Sequence, residues 1–231
     1  FSQWQNRENE RKKFEQQRAY WLREFADDIP VLRMPTDYAR PVVQDFEGNI
    51  LGFEIPGNDT ARLKAAALAE KGTLFIVLLT IFNVLLARLT GQEDIIIGTP
   101  TAGRRHADLQ PIIGIFVNTL ALRNFPAGHK TCGTFLREVK TRTLTAFDNQ
   151  EFPFEDLVNQ VAVKRDTSRN PLFDVMFSLQ TIEKKSPLDG GTKMPWEHNT
   201  AKFDLSLDVG VGESLFCSFE YCTKLFKPET I

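Results

Sequence analysis

The hydrophobic residues of this chain are spaced in two ways, which predict alternating helices and strands. In residues 6–26, apolar side chains such as Phe14, Trp21 and Phe25 fall on one face of a helix, and charged side chains cover the other. The same periodicity predicts helices at residues 58–71, 73–89 and 131–148, and a short helix after Pro153. Thr73 is a suitable N-cap for the apolar helix, and Gly91 is a suitable C-terminal stop.

Short runs rich in β-branched and aromatic residues predict the strands. They lie at residues 49–55, 94–98, 112–123, 172–180, 203–211 and 215–221, with the last two placed to form a hairpin. The stretch 98–111, rich in glycine, proline and arginine, and the polar stretch 183–199 are predicted loops. Because strands and helices interleave, we expect an α/β lobe around one sheet.

Composition and charge exclude several classes of protein. The net charge of −2 argues against nucleic-acid binding, which normally needs a clustered excess of lysine and arginine. The longest apolar run, residues 74–87, is interrupted by Thr80 and Asn83 and is shorter than the ~20 residues of a membrane span, so it predicts a buried helix. We therefore expect neither nucleic acid nor membrane as a partner.

The residues that often carry chemistry are sparse and scattered. Cys132, Cys217 and Cys222 form an odd set without a CxxC pair, so we predict reduced thiols, no metal site and a cytoplasmic protein. His129 lies three residues before Cys132, but no acid that could orient such a nucleophilic pair is evident. We predict no catalytic residue in this chain.

Four phrases, in order, carry a family resemblance. They are IIIGTPTAGRRHADLQP at residues 95–111, IIGIFVNTLALR at 112–123, NQEFPFEDLV at 149–158 and RDTSRNPLFDVMFSLQ at 165–180. Together they resemble the later core motifs of the condensation domains of nonribosomal peptide synthetases. The resemblance implies a chloramphenicol acetyltransferase-like α/β lobe, with a central mixed sheet flanked by helices.

The same resemblance implies that residues 1–231 are the C-terminal subdomain of a two-lobed domain. The opening FSQWQN is similar to the end of an earlier family motif, and the family's catalytic signature, HHxxxDG, is absent from this sequence. In the family that signature lies in the N-terminal lobe, and a tunnel between the lobes receives two substrates on phosphopantetheine arms. We therefore expect half of a peptide-bond-forming enzyme, inactive alone.

Several residues are implied to support the reaction or to line the tunnel. Arg104 either pairs with the aspartate of HHxxxDG across the lobe boundary or is a loop arginine paired with Asp108. Asn118 and Thr119 either contact the pantetheine or substrate, or satisfy the backbone at a strand end. The remaining candidates are Phe116, Gln150, Arg165, Asp166, Arg169, Asp204 and Ser206. For the polar loop at 165–170, the alternative is a capped turn in which an arginine pairs with Asp166.

The expected partners follow from the same resemblance. They are the N-terminal condensation subdomain, donor and acceptor peptidyl carrier proteins with their phosphopantetheine arms, and a neighbouring adenylation domain; no cofactor is expected to bind directly. An isolated lobe would expose the face that meets its partner, so it could dimerise. The alternatives are an interaction platform, an epimerisation or heterocyclisation relative, and a free-standing acyltransferase that uses coenzyme A, for which no plausible catalytic histidine is present.

Overall fold

The computed structural model describes residues 8–104, 109, 111–161, 166–181 and 199–231, with side chains from residue 12 onward. The helices are α1 (Glu8–Glu24), α2 (Gly57–Ala69), α3 (Leu74–Thr90), α4 (Cys132–Asp148) and α5 (Phe154–Gln160). The strands are β1 (Gly48–Ile55), β2 (Ile95–Thr101), β3 (Asn118–Asn124), β4 (Val175–Thr181), β5 (Leu205–Val211) and β6 (Leu215–Cys222).

These strands form one mixed sheet in the order β1-β6-β5-β4-β2-β3. The pairs β4·β5 and β2·β4 are parallel, and the other three pairs are antiparallel. The β5–β6 hairpin is present, and Val211 pairs with Leu215 at its turn. The prediction of an α/β fold with a central mixed sheet flanked by helices is therefore confirmed.

The two faces of the sheet differ in chemistry. Phe177 on β4 lies 5.1 Å from Phe75 and 6.1 Å from Phe82, ring centroid to ring centroid, so its face of the sheet packs against α3. Its cross-strand neighbours are Leu207, Phe219 and Leu51, all apolar. The side chains one residue along each strand point to the opposite face, and that face carries polar groups described below.

Helix α3 is the apolar helix that the sequence predicts to be buried. Leu79 and Leu86 are fully buried, the Thr73 hydroxyl accepts a hydrogen bond from the Ile76 amide, and Gly91 closes the helix in the left-handed conformation. Within the described residues, no single helix has both the length and the apolar composition of a membrane span. Helices α2 and α3 meet those criteria only jointly, with a bend of 104° between them.

Three predicted boundaries are wrong. The strand at 112–123 begins only at Asn118, because β3 pairs with β2 no further than Thr101, after which the left-handed Gly103 turns the chain away. Residues 98–101 belong to β2 and not to a loop, since their partners on β3 extend the ladder. The helix predicted at 58–71 is α2, which begins after Pro56 and ends at Ala69, two residues earlier than predicted.

The junction between β2 and β4 depends on one glycine. These strands are in register at a single pair, Gly98 and Met176, and the Phe173 ring lies directly over Gly98. A β-carbon at residue 98 would lie 2.2 Å from the Phe173 Cε2 atom. A methyl group therefore cannot be added without displacing a buried aromatic ring.

We predict that Gly98→Ala destabilises the fold by about 1–3 kcal/mol, because the Phe173 ring must leave its packed position. The matched control is Gly133→Ala on α4, where an added β-carbon meets nothing within 4 Å. That control should be neutral or stabilise by up to about 1 kcal/mol. Urea denaturation measures both, and equal midpoints for Gly98→Ala and the unsubstituted chain would contradict the prediction.

Candidate functional site

The structure places the predicted site residues at two opposite edges of the sheet. At the edge where β2, β4 and β5 end, here called the carboxyl edge, lie Arg104, Phe116, Asn118, Thr119 and Gln150. At the edge where β4 and β5 begin, here called the amino edge, lie Asp166, Arg169 and Asp204, with Ser206 one residue inside β5. Seven-residue strands separate the two groups by about 20 Å. Arg165 and Asp108 lie outside the described residues.

Asn118 connects β3 to the segment that follows α4. Its Nδ2 atom donates hydrogen bonds to the carbonyls of Gln150 and Phe152, both at 2.8 Å. Its Oδ1 atom accepts from the amides of Thr119 at 2.9 Å and Phe154 at 3.2 Å. Both ends of the carboxamide are thus engaged with backbone groups, which favours the backbone-satisfying alternative for this residue.

The segment 149–153 is held from its other side by α1. Gln17, which is 4% exposed, accepts hydrogen bonds from the amides of Glu151 and Phe152, at 2.9 and 3.1 Å. Trp21 donates its indole N–H to the Asn149 carbonyl at 2.8 Å. The Gln150 side chain, half-buried, donates to the Phe147 carbonyl at 2.7 Å. Side chains from two distant elements therefore determine the shape of this loop.

Arg104 organises the segment that precedes β3. Its guanidinium donates hydrogen bonds to the carbonyls of Leu109, Ile112 and Gly114, and its Cζ atom lies 4.4 Å from the centre of the Phe116 ring. Phe116 and Val117 precede β3 and are not part of it, although the sequence predicts a strand from residue 112. Phe116 is half-buried beneath the guanidinium, and Val117 is 61% exposed.

Two buried ion pairs lie at the amino edge. Arg40, in the connector between α1 and β1, pairs with both carboxylate oxygens of Asp204 and donates to the Ser168 carbonyl at 3.1 Å. Arg169 pairs with Asp174 and donates to the Leu32 carbonyl at 3.2 Å. Asp204 and Asp174 are 3% and 4% exposed, so each needs its arginine to remain buried. Arg40 and Asp174 are site residues that sequence reasoning missed.

The Asp166 carboxylate forms a turn with Ser168. Its Oδ1 atom accepts from the Ser168 amide at 2.8 Å and from the Ser168 hydroxyl at 2.6 Å, and Arg169 Nε lies 4.0 Å from its Oδ2 atom. The alternative of a capped turn in which an arginine approaches Asp166 therefore describes this loop. Aspartate followed two residues later by serine is a local signal for such a turn.

A cavity of about 800 Å³ adjoins these ion pairs. Among the described residues, it is bounded by the connector residues 28–32, the end of α5 and the segment 166–174. The lining is mixed, with apolar side chains beside the charged residues Asp28, Asp94, Asp166, Arg169 and Asp174. The cavity lies at the amino edge, away from Arg104 and Asn118.

The sheet face opposite α3 carries a row of polar side chains. Ser178 on β4 is paired with Asp208 on β5, which is paired with Ser218 on β6. The buried Ser178 hydroxyl donates a hydrogen bond to the half-buried Asp208 carboxylate. A second row contains Met176, Ser206 and Glu220. Sequence reasoning selected Asp204 and Ser206 but missed Asp208 and Ser178, although Asp208 continues the same alternation of polar residues.

Thr119 lies on this polar face too. It is paired with Pro100 across the β2·β3 ladder, and the adjacent pair on the same face is Gly98 with Ala121. The half-buried Thr119 lies near the carboxyl edge, and its neighbours on this face are Gly98, Pro100 and Ala121. Thr119 therefore lies on the same face of the sheet as Ser178 and Asp208.

The pKa values of two aspartates at the amino edge are shifted in opposite directions. Burial, and then the neighbouring Asp204 charge, raise the pKa of Asp174 to about 6, despite the opposing effect of Arg169 and Arg40. Hydrogen bonds from the side chain and the amide of Ser168 lower the pKa of Asp166. Asp174 therefore binds a proton more tightly in the folded chain than in the unfolded chain, and Asp166 binds one less tightly.

We predict that Asp174 makes the fold more stable as the pH falls from 7 to about 4, because the folded state then binds more protons than the unfolded state. Asp174→Asn should abolish this contribution. The difference in unfolding free energy between the unsubstituted chain and the variant should therefore increase in that window. Urea denaturation between pH 4.5 and 7.5 tests it, and a difference that is independent of pH would contradict the raised pKa.

Asp166→Asn is the matched control of opposite sign. Asp166 stabilises the fold above the unfolded pKa of about 4, and that contribution is lost as the pH falls further. The difference between the unsubstituted chain and Asp166→Asn should therefore remain constant from pH 7.5 to 4.5.

Comparisons of sequence and of structure with known proteins indicate the same family. The family model described as Condensation domain matches residues 1–231. Gramicidin S synthase 2 of Brevibacillus brevis is 47% identical over 236 aligned residues, covering 100% of this chain but only 5% of that protein. The chain thus spans a small fraction of the length of such relatives.

Two solved structures share the fold. A four-domain nonribosomal peptide synthetase bound to AMP and glycine superposes with a TM-score of 0.85 and 26% identity, over 93% of this chain and 18% of that one. The first condensation domain of the calcium-dependent antibiotic synthetase gives a TM-score of 0.76 over 94% of this chain and 47% of that one; at 19% identity it supports the fold alone. With the match to the family model over its whole length, this chain belongs to the condensation-domain family.

Proposed function

We propose that this chain is the C-terminal half of a condensation domain that forms peptide bonds between carrier-bound aminoacyl or peptidyl thioesters. One observation carries the proposal: the chain matches the Condensation model throughout, yet corresponds to 47% of a solved condensation-domain chain and lacks HHxxxDG. In this proposal the N-terminal half supplies HHxxxDG, and this half is inactive alone. Residues 1–231 then form one subdomain.

The reaction requires little chemistry from this half. The α-amine of the acceptor attacks the carbonyl carbon of the donor thioester; a C–N bond forms, the C–S bond breaks, and the donor arm leaves as a thiol with the displaced proton. The described residues of the carboxyl edge and the polar face offer amide, hydroxyl and carboxylate groups and no histidine. This half would therefore bind and orient the arms, and no base is assigned to it.

The polar face and the carboxyl edge are the best candidates for the tunnel wall. A phosphopantetheine arm is extended and carries two amide groups, each with a donor and an acceptor. Asp208 and Ser178 present an acceptor and a hydroxyl on a face that α3 does not cover, and Thr119 lies towards the edge. Asp204, by contrast, is engaged by Arg40. We therefore propose Asp208 as a tunnel contact in preference to Asp204.

The proposed partners are those that the reaction needs. They are the N-terminal condensation subdomain, a donor and an acceptor carrier protein with their phosphopantetheine arms, and an adenylation domain of the same cytoplasmic synthetase. No directly bound cofactor is required. In the isolated lobe, the surface that faces the N-terminal half would be exposed, and two copies could dimerise through it.

The second candidate is a non-catalytic interaction platform. A specific observation favours it: Ile81, Leu85 and Leu89 lie four residues apart on one face of α3 and are 49%, 41% and 48% exposed. An apolar stripe of this kind suits a protein partner. The two functions differ in whether the complete domain makes product.

The deciding experiment is a condensation assay with loaded donor and acceptor carriers, read by mass spectrometry. We expect dipeptide when the N-terminal half is added and none from this chain alone. Dipeptide from this chain alone would refute the division of labour between the halves. No product from the mixture, with carrier binding retained, would favour the platform.

In the complete reaction, Asp208→Asn and Ser178→Ala should each lower kcat/KM by roughly tenfold, since one hydrogen bond to a charged group is worth ~1.5 kcal/mol or more. The matched control is Asp59→Asn, whose side chain lies on α2 and is 57% exposed. Unchanged kcat/KM in both polar-face variants would remove them from the tunnel wall.

A further inference from the structure

We propose that Gln17 on α1 is a positioning residue for the reaction. It binds the backbone amides of Glu151 and Phe152, and Phe152 is bound in turn by Asn118 at the carboxyl edge. The link to the reaction rests on the proposed function, in which that edge belongs to the tunnel wall. The contacts themselves lie within this chain and can be tested separately.

Gln17 is a buried carboxamide with partners at both ends. It is 4% exposed, whereas the neighbouring Gln16 on the same helix is exposed. Its Oε1 atom accepts hydrogen bonds from the amides of Glu151 at 2.9 Å and Phe152 at 3.1 Å. Its Nε2 atom donates to the Glu151 carboxylate at 3.1 Å. Burial of an amide group is unfavourable without such partners, so this glutamine makes a contact that an apolar side chain could not make.

The loop from Asn149 to Pro153 depends on side chains for its hydrogen bonds. It lies between α4 and α5 and outside both helices. Within the described part of the chain, one atom of Gln17 is the acceptor for two successive amides, those of Glu151 and Phe152. Phe152 is 2% exposed, so water cannot replace this acceptor unless the loop moves.

Phe152 connects Gln17 to Asn118. Its amide is bound by Gln17, and its carbonyl accepts a hydrogen bond from Asn118 Nδ2 at 2.8 Å. Asn118 also binds the Gln150 carbonyl and the Phe154 amide, and it is the first residue of β3. A displaced Phe152 would therefore move an anchor of the carboxyl edge. Small displacements of this kind can lower the rate even when the substituted residue touches no substrate.

Other contacts keep the loop attached when Gln17 is changed. Trp21 donates its indole N–H to the Asn149 carbonyl, and the ring centroids of Phe14 and Phe152 lie 5.1 Å apart. We therefore expect a substituted chain to fold with this loop shifted. An effect on the reaction can then be separated from loss of the fold.

The contact between Gln17 and Glu151 can be tested by exchanging the two side chains. Gln17→Glu retains an oxygen that can accept from the two amides, but it sets a second carboxylate against that of Glu151, and like charges repel. The double variant Gln17→Glu/Glu151→Gln restores one amide and one carboxylate, with their positions exchanged. The double variant should therefore recover what Gln17→Glu loses.

The variants Gln17→Leu, Gln17→Glu and the double variant are compared with Gln16→Leu, the matched control at an exposed position of α1. In ¹H–¹⁵N spectra of this chain, the Asn118 side-chain signal should shift in both single variants and return in the double variant. Hydrogen exchange of the Phe152 amide should be roughly tenfold faster in Gln17→Leu, because its acceptor is lost. Gln16→Leu should change neither observable.

The condensation assay with the N-terminal half is run on variants that urea denaturation shows to be folded. We expect kcat/KM to fall roughly tenfold in both single variants and to return to within about threefold in the double variant. Gln16→Leu should leave kcat/KM unchanged. If Gln17→Leu does not fold, Gln17→Glu and the double variant still decide the result.

The outcomes separate the possible explanations. Shifted Asn118 signals and lost activity, both recovered in the double variant, support the proposal. Full kcat/KM in folded single variants overturns it and leaves Gln17 with a stabilising role. An unchanged Asn118 signal with lost activity overturns the route through Phe152, and a double variant as impaired as Gln17→Glu overturns the proposed contact. An inactive mixture of unsubstituted halves refutes the proposed function and the link to the reaction, while the Asn118 signal still decides whether Gln17 positions that residue.

Discussion

The tightest contact between the two parts of the sheet is at Gly98. The β2–β3 pair meets the β4–β5–β6 part through Gly98 and Met176, with the Phe173 ring packed over Gly98. The carboxyl-edge groups around Asn118 belong to the first part, and the polar row of Ser178 and Asp208 belongs to the second. The relative position of these two surfaces therefore depends on a glycine that admits an aromatic ring.

Away from that junction, side chains replace backbone ladders as the means of ordering the loops. Asn118 and Gln17 satisfy the backbone around Phe152 from two sides, while Arg40 and Arg169 neutralise aspartates that are almost completely buried. Such contacts add little net stability, because desolvation offsets much of their attraction. Their effect is specificity, since each group left unpaired would be costly. The polar motifs of the sequence are therefore largely engaged in structural contacts at both edges of the sheet.

The proposed division of labour agrees with this distribution of groups. Members of the condensation-domain family that resemble this chain belong to very large synthetases, of which it covers a few per cent. A wall that binds extended arms needs amide and hydroxyl groups on a rigid sheet, and it needs no titrating nucleophile. The apolar stripe on α3 lies on the other side of the molecule, so tunnel and partner surfaces can coexist.

Local pattern alone determined the helices, the caps of α3 and most strands, because periodicity, Thr73 and Gly91 act within a few residues. It also determined the family, through phrases that are contiguous in the chain. Only the tertiary structure decided that residues 112–117 do not join the sheet, since β2 ends at Thr101, Gly103 turns the chain away, and Arg104 binds the carbonyls of Ile112 and Gly114. Likewise, only strand order and register show that Asp204 and Asn118 lie at opposite edges of the sheet. Those contacts join residues far apart in sequence, and a single sequence carries no local signal for them.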